Sequence, residues 1–248
     1  MRCCRTALCI ACLFRSTEAR SSTRAAEPRP AARRCANYEY VLQLGIGKSG
    51  TSSTVAWLDR LGGYVNCEHA LPKTFVWPLM RRARAEGLPV LHYVVQSCNL
   101  LGEIMSVTGD ENAFAPQLSE LPQLMAYMRP LRTLFVLNVR EEHDWLRSVD
   151  CWPTPFAPLR SRFTTSCFSG LPCGVGARDE DMLNWYRGAN EYIMWSFRHA
   201  TDFVVVNVSD PSSFAQLGAI CNDSRPMPHV NAPNTTKCRN HHVATHGF

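Results

Sequence analysis

The sequence contains a loop of small residues, Gly45-Ile46-Gly47-Lys48-Ser49-Gly50-Thr51-Ser52-Ser53, between a predicted strand and a predicted helix. A junction of this kind presents backbone amides and the positive end of the helix dipole to an anion. Lys48 adds a movable positive charge, and the serine and threonine hydroxyls add further hydrogen-bond donors. The sequence therefore predicts an oxyanion-binding turn at this junction.

The rest of the chain alternates short apolar runs with longer amphipathic stretches, which is the pattern of βαβ units. Strands are predicted at Tyr38–Leu44, Tyr64–Cys67, Pro89–Val95, Thr133–Val139 and Phe203–Val208. Helices are predicted at Ser52–Leu61, Thr74–Glu86, Leu118–Met128, Glu141–Val149, Asp179–His199 and Ser212–Cys221. Strands this apolar suit a sheet that is covered on both faces. We therefore expect an α/β fold, a three-layer α/β/α domain with a central, mostly parallel sheet and a P-loop-like phosphate-binding turn.

The positive charge of the chain is concentrated near its N-terminus. The formal net charge is +5, but residues 1–34 contain eight Arg and two Glu, which leaves 18 basic and 19 acidic residues for the rest. A nucleic-acid-binding face needs its charge on the folded domain, so no nucleic-acid partner is expected. We predict a targeting leader or disordered extension at 1–34, a single domain at 35–235 that includes an irregular insert at Cys151–Gly176, and an irregular tail at 236–248.

The predicted leader indicates where the protein is delivered. Arg2 and Arg5 precede the apolar run 7–14, which is too short for a transmembrane span of about 20 residues. The run fits the apolar region of a signal peptide, so the secretory pathway or the Golgi lumen is the first expectation. Its Arg-, Ser- and Ala-rich continuation leaves an organelle transit peptide open, and an unstructured extension of a cytoplasmic protein is a further alternative. Sequons that begin at Asn207, Asn222 and Asn234 favour the secretory route and a glycoprotein.

The cysteines give no sign of a metal site. Five of the twelve lie in or just after the leader, and the remaining seven cannot all pair with one another. The first five are Cys3, Cys4, Cys9, Cys12 and Cys35. The later segment contains no CxxC motif and no tight Cys/His spacing, so neither a structural zinc nor a thioredoxin-type site is expected.

The loop departs from the Walker A pattern of nucleotide triphosphatases. Aligning Gly47-Lys48-Ser49 with G-x-x-x-x-G-K-[ST] requires a glycine at position 42, where the chain has Leu42. No predicted strand ends in the aspartate that holds Mg²⁺ in those enzymes, since the strand 133–139 is followed by Arg140. A magnesium-dependent kinase is therefore disfavoured.

Two motifs of the chain instead resemble the sulfotransferase family. The segment Lys48-Ser49-Gly50-Thr51-Ser52 is similar to the 5′-phosphosulfate loop of that family, K-[ST]-G-T-[TS], which also lies between a strand and a helix. Arg140 ends a later strand and Ser148 follows eight residues on, with Trp145 three residues before it, as in the family's 3′-phosphate motif. A weaker similarity runs through Phe203–Leu217, and the resemblance covers about residues 38–235, closest in pattern to carbohydrate sulfotransferases of the Golgi.

The resemblance implies a reaction and the roles of several residues. The donor would be 3′-phosphoadenosine-5′-phosphosulfate (PAPS), and the acceptor a hydroxyl or amine of a carbohydrate or small molecule, with no metal required. Lys48 would stabilise the leaving oxygen, and residues Lys48, Ser49, Gly50, Thr51, Ser52 and Ser53 would hold the phosphosulfate. Arg140 and Ser148 would hold the 3′-phosphate.

The acceptor hydroxyl also needs a general base. Glu68 and His69 follow the second predicted strand, and they would reach the same sheet edge as the loop. Carbohydrate sulfotransferases place a catalytic Glu and a nearby His after this strand, so we expect Glu68 to be the base and His69 the second candidate. Cytosolic members use a His after the third strand, whereas His92 lies inside the third predicted strand here.

Two other functions remain open from the sequence. One is a magnesium-dependent nucleotide or small-molecule kinase with a degenerate P-loop. The other is a sulfotransferase-like protein that has lost catalysis and acts as a binding module. The sequence carries no code for the acceptor or for the oligomeric state.

Overall fold

A five-stranded parallel sheet lies at the centre of the computed structural model, which describes residues 35, 37–67, 70–71, 74–107, 113–152 and 158–228. The order of its strands is β2-β5-β1-β6-β7, and a separate antiparallel pair consists of β3 and β4. The strands are β1 (Tyr40–Gln43), β2 (Asn66–Cys67), β3 (Ala70–Leu71), β4 (Thr74–Phe75), β5 (Leu100–Leu101), β6 (Thr133–Val139) and β7 (Phe203–Asn207).

Eight α-helices occur within the described ranges. They are α1 (Thr51–Asp59), α2 (Val76–Ala85), α3 (Pro116–Ser119), α4 (Leu121–Met128), α5 (Glu142–Asp150), α6 (Leu159–Thr165), α7 (Asp179–Ser196) and α8 (Phe214–Ile220). The single helix predicted at Leu118–Met128 is divided at Glu120, because a proline in the first turn starts α4 anew. Helix α6 lies in the segment that was predicted to be an irregular insert.

The two faces of the sheet pack against different helices. Alternate residues such as Val41 and Val136 pack with the apolar side chains of α1 and α8, among them Trp57 and Phe214. The intervening residues, such as Leu42, belong to a larger core with helices α2 to α7. The predicted three-layer α/β/α fold with a parallel central sheet is therefore confirmed.

The third strand was predicted wrongly. The segment Pro89–Val95 forms turns, in which the His92 amide donates to the Pro89 carbonyl and the Val94 amide to the Leu91 carbonyl. Residues 90, 91, 94 and 98 are buried, a helix-like spacing that places these apolar side chains on one face of the turns. The third strand of the sheet along the chain is instead the short β5, which starts eleven residues after Pro89.

The strand order puts two chain segments side by side. From β1 the chain moves to β2 and then to β5 on one side of β1, and afterwards to β6 and β7 on the other. The order therefore reverses between β1 and β6, and ligands of open parallel sheets bind outside the carboxyl ends of the strands at such a point. The residues that follow these two strands are the 45–50 loop and Arg140.

Disulfides connect distant parts of the described chain. Cys35 is bonded to Cys221, Cys67 to Cys98 and Cys167 to Cys173, and Cys151 is also disulfide-bonded. Cys35, the first residue of the predicted domain, is thus paired with a cysteine of that domain, and the count of seven later cysteines left it out. From Cys35 onward the chain has eight cysteines, an even number.

These disulfides are expected to differ in their contribution to stability. The Cys35–Cys221 bond spans 186 residues between buried positions, whereas Cys167–Cys173 spans six between exposed ones. From loop entropy alone, the first contributes about 5 kcal/mol and the second about 2 kcal/mol. We predict that replacing both cysteines of the long pair by serine lowers the urea midpoint more than the same change in the short pair. Equal shifts of the two midpoints would contradict this.

Candidate functional site

A cavity of about 380 Å³ opens where the ends of β1, β5 and β6 meet. The predicted phosphate loop forms one wall through Gly47, Lys48, Gly50 and residues 51–53. Arg140 and Ser148 line the same space. The two motifs that suggested the family, which are about ninety residues apart in sequence, thus face one cavity.

The loop has a backbone that few residues adopt. Lys48 and Gly50 have φ values of 75° and 101°, in the left-handed region. A Cβ on Gly50 would lie 2.5 Å from Cγ1 of Val208, so glycine also satisfies a packing need there. Helix α1 starts at once, with no side-chain cap at Gly50 and no acidic residue in its first turn. The positive end of this helix therefore lies at the cavity wall, and no carboxylate from the first turn of the helix neutralises it.

Lys48 lies partly buried in this wall, with its Nζ 3.1 Å from the ring centroid of Trp152. The ring belongs to the segment after α5 and is itself 37% exposed. An ammonium group over an indole face is held there by a cation–π attraction. Trp152 thus orients the lysine that the sequence selected as catalytic.

Ser49 occupies a different position from the other loop hydroxyls. Its side chain is fully buried beside Gly45 and does not line the cavity. Its amide donates to the Ile46 carbonyl at 3.0 Å, and its Oγ has no hydrogen-bond partner among the described residues. Any ligand contact from the loop hydroxyls is therefore expected from Thr51, Ser52 and Ser53.

Arg140 is held through its backbone, which leaves its side chain available to a ligand. The Arg140 amide donates to the Tyr186 hydroxyl at 2.9 Å, and that hydroxyl lies 3.3 Å from the Arg140 carbonyl, to which it donates. Burial raises the pKa of Tyr186 to about 12, so its hydroxyl keeps its proton at neutral pH. Within the described ranges the Arg140 guanidinium has no carboxylate partner, whereas Arg147 is paired with Asp144 and Arg187 with Glu142.

Two stacked aromatic rings connect the loop to Arg140. Trp145 donates its indole N–H to the Gly47 carbonyl at 2.9 Å, and its ring stacks on Tyr186 with centroids 4.1 Å apart. Trp145 is fully buried, so this hydrogen bond is shielded from water. The spacing between the loop and Arg140 is therefore fixed by the core of the protein.

The predicted bases are not all placed by the structure. Glu68 and His69 lie outside the described residues. His92 lies in the turns before β5, where its Nε2 is 3.3 Å from Nε2 of Gln96, and it does not line the cavity.

The cavity contains two charged residues that the sequence analysis missed. Glu103 comes two residues after β5, and Arg162 lies on α6. Both were hidden because the third strand was placed too early and α6 was not predicted. The short apolar pair Leu100-Leu101 followed by Gly102-Glu103 was the available signal. Arg162, like Arg140, has no ion-pair partner in the described part of the chain.

A second cavity of about 810 Å³ adjoins the first, and Gly50, Ser53 and Arg140 line both. Its far wall comes from β7, α8 and the segment after α8, including Phe214 and Met227. The combined space therefore has an anion-binding end and a larger, more apolar compartment.

No protein-family model matches the chain, and a search of curated proteins finds no similar sequence. Among the described residues, no cluster of three or more His, Cys, Asp or Glu is arranged to hold a metal ion. The helices in these ranges include none with the length and apolar character needed to cross a bilayer. The case for function therefore rests on the cavity itself.

The glycine in the loop gives a direct test of its geometry. Gly50 and Gly62 both have positive φ, but a Cβ on Gly62 meets nothing within 4 Å. We predict that Gly62→Ala costs about 1 kcal/mol of unfolding free energy through its backbone alone. Gly50→Ala is expected to cost a further 1–3 kcal/mol or so, because the methyl group overlaps Val208. Urea unfolding of the two variants measures the difference, and equal costs would show that the loop has room.

Proposed function

We propose that this protein is a sulfotransferase that moves a sulfuryl group from PAPS to a hydroxyl or amine acceptor. One observation carries the proposal: the loop with Lys48 and the pair Arg140 and Ser148 line one cavity that continues into a larger compartment. PAPS has anionic groups at two separated places and a nucleoside, so its parts correspond to those of the site.

The phosphosulfate end suits the loop. The N-terminus of α1, the hydroxyls of residues 51–53 and the ammonium of Lys48 together supply positive potential at that wall. The side chain of Ser49 is buried away from the cavity, so its expected contribution is limited to shaping the turn.

The 3′-phosphate suits Arg140 and Ser148. The guanidinium has no carboxylate partner among the described residues, so binding a phosphate does not require an existing ion pair to be broken. Ser148 is 5% exposed and faces the same cavity from α5. The second cavity, with Phe214 and Met227, has the size and apolar character expected for a nucleoside site.

The transfer itself depends on placing charge. The acceptor oxygen or nitrogen forms a bond to sulfur while the bond from sulfur to the bridging oxygen of PAPS breaks. Adenosine 3′,5′-bisphosphate leaves with the electron pair, and Lys48 stabilises the negative charge that develops on that oxygen. The acceptor proton passes to a base, for which Glu68 and His69 are the candidates from the sequence.

The acceptor would enter past aromatic and apolar side chains. Trp77, Trp152, Phe163 and Met105 line the cavity together with the loop. Such walls suit a carbohydrate ring or a small organic molecule, which stack on or pack against aromatic surfaces. The disulfides of the domain support delivery to the secretory pathway or Golgi lumen, because such bonds persist in oxidising compartments.

Calorimetry with adenosine 3′,5′-bisphosphate tests the nucleotide specificity. We predict binding in the absence of magnesium and no comparable binding of ATP with magnesium. The opposite pattern would support the kinase alternative and reject this function.

The 3′-phosphate site has a matched control at the opposite end of β6. Arg140 follows β6, and Arg132 precedes it and is paired with Glu39 at the other end. We predict that Arg140→Gln weakens bisphosphate binding by about 10–100-fold, the loss expected for a charged hydrogen bond. Arg132→Gln should leave the affinity unchanged. If both variants bind like the wild type, the 3′-phosphate site lies elsewhere.

Lys48 is expected to act mainly on the transfer step. Lys48→Met should lower the rate of transfer of labelled sulfate at least about a hundredfold, as removal of one transition-state contact does. Lys48→Arg keeps the positive charge and should retain more activity. A panel of glycans, phenols, steroids and amines identifies the acceptor. A wild type that binds the bisphosphate but transfers to none of them would favour an inactive binding protein.

A further inference from the structure

Glu103 occupies a central place at the active edge of the sheet. It leaves the sheet two residues after β5, and β5 pairs directly with β1 through Val41 opposite Leu100 and Leu42 opposite Leu101. Neighbouring strands lie about 4.8 Å apart, so this residue starts one strand spacing from the loop. The strand before Glu68, β2, is two spacings from β1.

The Glu103 carboxylate lies against the phosphate loop. Its Oε1 is 2.9 Å from the position that a Cβ on Gly47 would occupy. Any larger residue at position 47 would therefore collide with the carboxylate or displace it. The glycine before Lys48 keeps room for an acidic side chain beside the loop.

Glu103 lies in a part of the cavity that is otherwise positively charged. Among the described residues that line this cavity it is the single acid, and it shares the space with Lys48, Arg140 and Arg162. A carboxylate in a site for a highly anionic donor opposes binding of that donor. Its presence is explained if it serves a chemical step.

Building on the sulfotransferase function above, we propose that Glu103 is the general base that accepts the proton of the acceptor. The acceptor hydroxyl transfers its proton to a carboxylate oxygen of Glu103 as its oxygen bonds to sulfur. The bond from sulfur to the bridging oxygen breaks, and the bisphosphate leaves with its electrons beside Lys48. Glu103 then releases its proton to water, so the step consumes only donor and acceptor.

This assignment competes with the one made from sequence. Glu68 is the candidate from the sequence because it follows the second predicted strand, where carbohydrate sulfotransferases place a catalytic Glu. Replacing Glu103 and replacing Glu68 are expected to change kcat by different amounts, so an experiment can decide which carboxylate is the base.

The experiment compares Glu103→Gln with Glu68→Gln, using bisphosphate calorimetry and transfer of labelled sulfate to the acceptor used by the wild type. We expect Glu103→Gln to lower kcat at least a hundredfold and to leave bisphosphate affinity within about threefold. We expect Glu68→Gln to change kcat by less than tenfold. Glu120→Gln is the control, because Glu120 is half-buried, paired with Arg84 and absent from the cavity wall.

A second readout separates a base from a residue that only positions the loop. Glu103→Ala should regain part of its activity when formate is added, because a small carboxylate can take the vacant place. Among the described residues that line the cavity, the other charged groups are the cations Lys48, Arg140 and Arg162, so the loss of the acid limb of the pH–rate profile in Glu103→Gln would be assigned to Glu103 itself. A loss of bisphosphate affinity without formate rescue would show a positioning role and overturn the proposal.

The remaining outcomes are distinct. Normal turnover in Glu103→Gln together with a hundredfold loss in Glu68→Gln would assign the base to Glu68 and leave the sulfotransferase function intact. Failure of the wild type to bind the bisphosphate would reject the proposed function, and the role of Glu103 with it.

Discussion

Parallel hydrogen bonding between β1 and β6 is the contact on which the site depends. Gln43 lies opposite Val136, so the two parallel strands run to the same edge of the sheet. The segments that follow the two strands therefore begin at that edge. The loop follows one strand and Arg140 the other, which explains how two short motifs far apart in sequence meet in one cavity. The strands stay paired because both are nearly fully buried between helical layers. Burial of this central pair thus links the stability of the fold to the geometry of the site.

The stacked rings of Trp145 and Tyr186, behind the loop, fix the position of the loop relative to Arg140. Strand pairing alone positions backbones, whereas a binding site needs side chains placed within about half an ångström. Trp145 hydrogen-bonds to the loop and stacks on Tyr186, and Tyr186 hydrogen-bonds to both backbone groups of Arg140. The Trp that resembled part of a family motif therefore has a physical role, which is to hold the loop against the core.

The parts of the fold that sequence reasoning predicted well have strong local signals. β6 was predicted at its observed bounds because six of its seven residues are apolar or β-branched. β5 was missed because two residues carry no periodicity, and the apolar run 89–95 before it satisfied the strand pattern while folding as turns. That one error also concealed Glu103, since the end of a strand can be searched for site residues only where the strand is known. The pairing of Cys35 with Cys221 is a long-range contact that local sequence does not specify.

Several local costs to stability are concentrated at this cavity. Lys48 has a left-handed backbone, which costs a non-glycine residue of order 1 kcal/mol, and the buried Ser49 hydroxyl has no partner in the described structure. Arg140 and Arg162 line the cavity without carboxylate partners in that part of the chain, so their charges repel each other and Lys48, and the single carboxylate of the described cavity wall, Glu103, offsets only part of that repulsion. A turn that only connected a strand to a helix would need none of these features. An anion bound among the three cations would offset the repulsion, and that gain grows with the charge of the ligand. Glu103 is stabilised by these cations, but its negative charge opposes the binding of an anionic ligand, and that conflict is the physical reason to assign Glu103 a chemical role.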